Sequence, residues 1–208
     1  MIKFVAFVSI PKCASKTILN MMELGRNRDD DSTELINNYV IYENHQRLIV
    51  LEQKYNLNDM FVFTFVRNPY DRIISWYNYH KNIKPYCELS IDKWIEQGCN
   101  VHKGWIRQNQ TNWKLEEKSP LLQYNFIESN TNRKIDYIGK METFDEDIQK
   151  IIEHLNKIFE TNNVEKRCTY KNIKKNANRG EKECLTQQSK NIIYNLFKKD
   201  FEYFGYEN

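Results

Sequence analysis

The chain has 208 residues, 40% of them hydrophobic and 28% charged, with 31 Lys+Arg against 28 Asp+Glu for a formal net charge of +3. That length bounds one domain of ordinary size, and that composition supports a packed core and excludes wholesale disorder. Mean hydropathy is −0.76 and no apolar run nears the roughly 20 residues of a membrane span, so no span is expected. A net charge of +3 is too small to mark a nucleic-acid binder, and none is expected as a partner.

The opening MIKFVAFVSIPK holds an apolar run as long as one buried strand, then Pro11 and Lys12. It lacks the longer apolar region and small-residue cleavage site of a secretory leader, so the expected location is cytoplasmic. Five cysteines, Cys13, Cys87, Cys99, Cys168 and Cys184, are odd in number and form no C-x-x-C pair. Neither a disulfide frame nor a zinc site is expected, and no metal is implied.

In chain order, Lys3 to Ser9 reads as a buried strand and Ser15 to Gly25 as a helix, with Ile18, Leu19 and Met22 in register. Arg26 to Thr33 is a polar loop, Tyr39 to Tyr42 a short strand and Gln46 to Tyr55 a helix. Met60 to Val66 (MFVFTFV) is the second buried strand, and Pro69 then opens a helix to about Ile83. Between residues 84 and 135, read as an acceptor-side insertion, only Ile91–Gln97 and Trp105–Trp113 look helical. Asp136 to Gly139 reads as a third strand. Phe144 to Phe159 is an amphipathic helix with Asp145, Glu146 and Asp147 in its first turn. Thr161 to Glu183 is a basic loop, and one last helix runs from Gln187 to Phe201. Strands alternating with helices give an α/β class with a central, mostly parallel sheet flanked by helices.

Two junctions carry chemistry. SIPKCASKTI lies between a buried strand and a helix, where backbone N–H groups and a helix start cradle an anion. Its end, Ser15-Lys16-Thr17, is like a Walker loop, but Ile10 and Ser15 stand where that loop needs glycines. In FTFVRNPYDRIISWY, Arg67 ends a buried strand and Ser75 follows about two helical turns later. An arginine fork with a hydroxyl suits a phosphate monoester. The plainer readings are a βα turn with surface lysines, and an Arg67–Asp71 salt bridge beside a packing serine.

Together, IPKCASKTI and FVRNPYDRIISWY resemble the carbohydrate-type (family 2) sulfotransferases. YIGKMETFDEDI and the ending LFKKDFEYFGY are similar to two further segments of that family, in the same order along nearly the whole chain. The resemblance implies a P-loop-like three-layer fold and 3′-phosphoadenosine 5′-phosphosulfate (PAPS) as sulfuryl donor. Carried over residue by residue, Lys12, Cys13, Ala14, Ser15, Lys16 and Thr17 would hold the 5′-phosphosulfate, and Arg67 and Ser75 the 3′-phosphate. Ala14 stands where glycine is usual, and Lys16 where Ser or Thr is usual.

Sulfuryl transfer to a hydroxyl needs in-line geometry, a cation at the leaving oxygens and a base at the acceptor. Lys12 fits the cation. His45, which opens a helix after a short strand, is the expected base, with His102, Glu43 and Glu52 as alternatives. His154, inside the amphipathic helix, reads as solvated or packing. The resemblance makes a sugar or glycan hydroxyl the expected acceptor, for which Trp76, Tyr77, Trp105 and Trp113 are candidate stacking rings. Two other classes stand beside this reading: a magnesium-dependent P-loop nucleotide kinase, and a non-catalytic nucleotide- or nucleic-acid-binding module on the same fold.

Overall fold

The two apolar runs become neighbouring strands of one parallel sheet. The computed structural model describes residues 4–21, 34–36, 40–42, 45–81, 89–99, 122–163 and 184–208. In chain order the elements are β1 (Phe4–Val8), α1 (Ser15–Met21), β2 (Glu34–Ile36), β3 (Val40–Tyr42), α2 (Leu48–Lys54) and β4 (Met60–Val66). Then come α3 (Pro69–His80), α4 (Ile91–Glu96), α5 (Tyr124–Ile127), β5 (Tyr137–Lys140), a 3₁₀ turn (Met141–Thr143), α6 (Phe144–Thr161), α7 (Gln187–Leu196) and α8 (Lys198–Phe204). Two compact units result, one of Met1–Arg67 with Phe126–Lys175, the other of Asn68–Asn125 with Asn176–Asn208.

The first unit holds the sheet, in the order β2-β3-β1-β4-β5. β3, β1, β4 and β5 run parallel, and β2 pairs antiparallel with β3 at the edge. This is the expected α/β class with a mostly parallel sheet. Period-2 alternation in MFVFTFV sends Phe61, Phe63 and Phe65 to one face. There Phe63 stacks on Phe7 with ring centroids 4.9 Å apart, and Phe7 in turn stacks on Tyr42 at 6.0 Å. Helix α6 lies over the same face, with Phe144 5.1 Å from Phe65 and His154 4.2 Å from Phe61. His154 is therefore a packing residue. The polar member of the run, Thr64, is buried but satisfied, its hydroxyl donating to the Val8 carbonyl at 2.7 Å.

Both ends of β5 are pinned by carboxylates. Asp136 exchanges backbone and side-chain bonds with Val62, at 2.7 Å each, and is held by Arg133, which also donates to the Leu57 and Met60 carbonyls. Asp147 accepts from the Lys140 N–H, the Tyr137 hydroxyl and the Thr143 hydroxyl. Burial pulls the Asp147 carboxyl up, but these bonds outweigh it and hold the group below its ordinary value. Gly139 pairs with Phe65, and a Cβ there would stand 2.5 Å from the Phe65 ring. The glycine is what lets that ring lie over β5.

The second unit is helical. Asn68 caps α3 by accepting from the Tyr70 N–H at 2.9 Å, with Pro69 at the first helical position. Ile73, Trp76 and Tyr77 of α3 pack with Ile91, Trp94 and Ile95 of α4, Ile193 of α7, and Phe197 and Phe201. Where the sequence reads as one helix over 187–201, the structure has two, broken at Phe197 (φ −116°, ψ 21°). The break turns Asp200 inward. Its carboxylate is fully buried, accepts from the Gln123 and Tyr124 N–H groups at 2.9 and 2.8 Å, and faces the buried Arg72 charge. Those two N–H groups belong to the start of α5, a short helix with no periodic pattern to announce it.

Two substitutions test these contacts. Asp200→Asn removes the charge that balances Arg72 and should cost about 3–5 kcal/mol of unfolding free energy, measured by urea denaturation. Gly139→Ala should cost about 1–3 kcal/mol in the same measurement, because the Phe65 ring must shift against Phe144.

Candidate active site

The strand register decides where a ligand can sit. Phe7 pairs with Tyr42, Val8 with Thr64 and Val66 with Lys140, so the carboxyl ends of β3, β1, β4 and β5 share one edge. The chain goes from β1 to β3 on one side, and from β4 to β5 on the other. The ends of β1 and β4 therefore form the topological switch point, the crevice where open α/β sheets bind ligands. The loop before α1 leaves β1 at this point, and Arg67 leaves β4 there.

The loop is built around one carbonyl. Ile10 O accepts from the Cys13 N–H at 3.3 Å and from the Ser15 hydroxyl at 3.2 Å. Lys12 and Ala14 take left-handed φ values of 67° and 60°, with Cys13 between them on the negative side. Such alternation turns successive N–H groups toward one concavity, a nest for an anion. Ala14 O then accepts from the Ile18 N–H at 3.0 Å, and α1 buries Ile18, Leu19 and Met21 against the unit. Cys13 is buried, Lys12, Ser15 and Thr17 are half-buried, and Lys16 is exposed. Lys12 is thus the cation built into the loop, and Lys16 one carried on its outer surface. The φ at Ala14 also explains why the resemblance leads one to expect glycine there: the position needs a conformation that costs an L-residue about 1–2 kcal/mol.

The structure brings His45 to this loop from the far side of β3. Its Nδ1 lies 3.0 Å from the Ser9 carbonyl oxygen and 3.2 Å from the Ser9 hydroxyl. His45 is itself left-handed, with φ 56°, so its backbone too is held away from its intrinsic preference. Ser9 is fully buried, and its hydroxyl donates to Ser15 Oγ at 2.7 Å. Sequence reasoning passed over Ser9 as the end of a strand. Only the pairing of β1 with β3 brings it to His45.

Lys12 to Thr17, His45 and Arg67 thus gather on one edge of the first unit. Ser75 belongs to the second unit, where it is buried on α3 beside Trp76. Trp76 is itself fully buried, and Tyr77 is buried with its hydroxyl donating to the Leu89 carbonyl. Both are core residues and not stacking platforms. Glu52, an alternative base, is committed elsewhere: it accepts from the Asn130 N–H and from the hydroxyls of Ser129 and Thr131. Glu43, His102, Trp105 and Trp113 lie outside the described residues.

A nest, a lysine and an arginine at a switch point are chemistry that suits a phosphorylated anion of any class. The sequence profile of the family described as "Sulfotransferase family" matches residues 3–207. The chain belongs to the sulfotransferase family. A search of the curated proteins finds no match. As a sulfotransferase, the chain is a transferase of sulfuryl groups, and its acceptor carries a hydroxyl. The kinase alternative falls away. Among the described residues, no helix is long and apolar enough to cross a membrane.

The strained loop of this sulfotransferase offers a test. Ala14→Gly relieves a left-handed alanine and should raise the denaturation midpoint by an amount equivalent to up to about 1 kcal/mol.

Proposed function

We propose that the protein transfers a sulfuryl group from PAPS to a sugar or glycan hydroxyl, with His45 as the base. The observation that carries this reading is the meeting of the Lys12–Thr17 loop, Arg67 and His45 on the carboxyl edge of the sheet. The residues present fit the donor. Nest and helix-start N–H groups with Lys12 suit a 5′-phosphosulfate, and the Arg67 fork suits a phosphate monoester. Ser75 joins Arg67 as a 3′-phosphate contact on the strength of the family resemblance, and the same resemblance supports the sugar acceptor.

PAPS, when bound, supplies the sulfuryl group and a bisphosphate leaving group. The chain's own part is to hold that anion, to neutralise charge on the leaving oxygens with Lys12, and to take the acceptor's hydroxyl proton with His45. Lys16, exposed at the start of α1, adds long-range attraction for an anionic donor.

Calorimetric titration with adenosine 3′,5′-bisphosphate, beside ATP–Mg²⁺, tests the donor assignment. The bisphosphate should bind without magnesium, and Arg67→Ala should weaken it by about tenfold or more, the loss of a charge-assisted bond. No bisphosphate binding, or unchanged affinity in Arg67→Ala, would sink the proposal. The same titration separates a donor site from a polynucleotide site, whose affinity would fall steeply with salt.

A further inference from the structure

We infer that Ser9 and Ser15 form a proton-ordered relay that sets the tautomer of His45, protonating Nδ1 and leaving the lone pair on Nε2. The inference rests on the reading of His45 as the base and adds two positioning residues to it. It follows from counting protons. A carbonyl oxygen only accepts, so at Ile10 O the Ser15 hydroxyl must be the donor, and its single proton is spent there. Ser15 Oγ can then only accept from Ser9 Oγ, 2.7 Å away, which spends the Ser9 proton as well. Ser9 Oγ is left as an acceptor toward His45 Nδ1 at 3.2 Å, and the Ser9 carbonyl, at 3.0 Å from the same nitrogen, is an acceptor by nature. Both Ser9 oxygens facing Nδ1 therefore demand a donor. The neutral ring meets that demand in one tautomer only, with N–H at Nδ1.

The relay starts at Ile10 O, the carbonyl that also shapes the anion loop through the Cys13 N–H. The loop that holds the donor and the group that takes the proton thus hang on the same atom. A second consequence concerns Ser15: with its hydroxyl proton committed to Ile10 O, it meets an anion through its backbone N–H. Burial of Ser9 at 0% exposure keeps water from supplying a competing donor to the chain of hydroxyls.

The test reads the ring directly. Protein labelled with ¹⁵N in histidine distinguishes protonated from lone-pair imidazole nitrogens by NMR, and His45→Gln assigns the His45 signals. In the unsubstituted protein, the neutral His45 ring should be mainly the Nδ1–H form. Ser15→Ala does not touch His45, yet it frees the Ser9 proton to turn toward Nδ1. It should raise the share of the Nε2–H form and lower kcat about tenfold. Ser9→Ala loses one acceptor but keeps the Ser9 carbonyl, so the Nδ1–H form should stay in the majority and kcat should fall less than in Ser15→Ala, with the KM for PAPS nearly unchanged. A majority Nε2–H form in the unsubstituted protein overturns the relay, as do an unchanged tautomer ratio and kcat in Ser15→Ala. Full turnover in His45→Gln overturns the base assignment instead, and takes the catalytic meaning of the relay with it.

Discussion

The parallel pairing of β1 with β4 is the constraint on which everything else depends. Five residues of each strand pair in register, from Phe4 with Met60 to Val8 with Thr64. Their shared apolar faces leave little freedom to slip, because a shift of one residue would exchange the Phe7–Phe63 stack for Thr64 and send the phenylalanines to the opposite face. The hydroxyl of Thr64 on the Val8 carbonyl adds a polar lock to the same register. Once these strands are aligned, their ends are aligned too, and the anion loop and Arg67 emerge side by side.

His45 depends on the same frame at one remove. Its ring nitrogen Nδ1 is met by Ser9, thirty-six positions away along the chain. The register of β3 on β1, with Tyr42 opposite Phe7, carries the chain to that spot. The site is an arrangement of strand ends, in which the anion loop closes on its own Ile10 carbonyl and His45 meets Ser9 at the end of the neighbouring strand.

Much of this was legible in the residues. Hydrophobic runs without interruption located β1 and β4, because a parallel strand is buried on both faces and cannot alternate. The heptad-like spacing of Ile148, Ile151, Ile152 and Leu155 located α6, and the chemistry of Lys12 and Arg67 at strand ends pointed to an anion. What escaped was too short to show a pattern or was set by partners distant in sequence. β2 is three residues long and exists by pairing with β3. α5 is a single turn whose first N–H groups are satisfied by Asp200. The break at Phe197 answers the need to turn that same aspartate inward, a tertiary demand overriding good helical periodicity. Ser9 looked like the polar end of a strand, and no local pattern marks a hydroxyl whose partner lies across the sheet.

Three residues on the site edge, Lys12, Ala14 and His45, hold backbone conformations that favour glycine. None of the three residues would choose that shape alone, so the sheet must impose it. The loop and the histidine turn keep their native form only while β1, β3 and β4 are paired. An anion that bound only the paired sheet would therefore stabilise the strained edge along with the sheet.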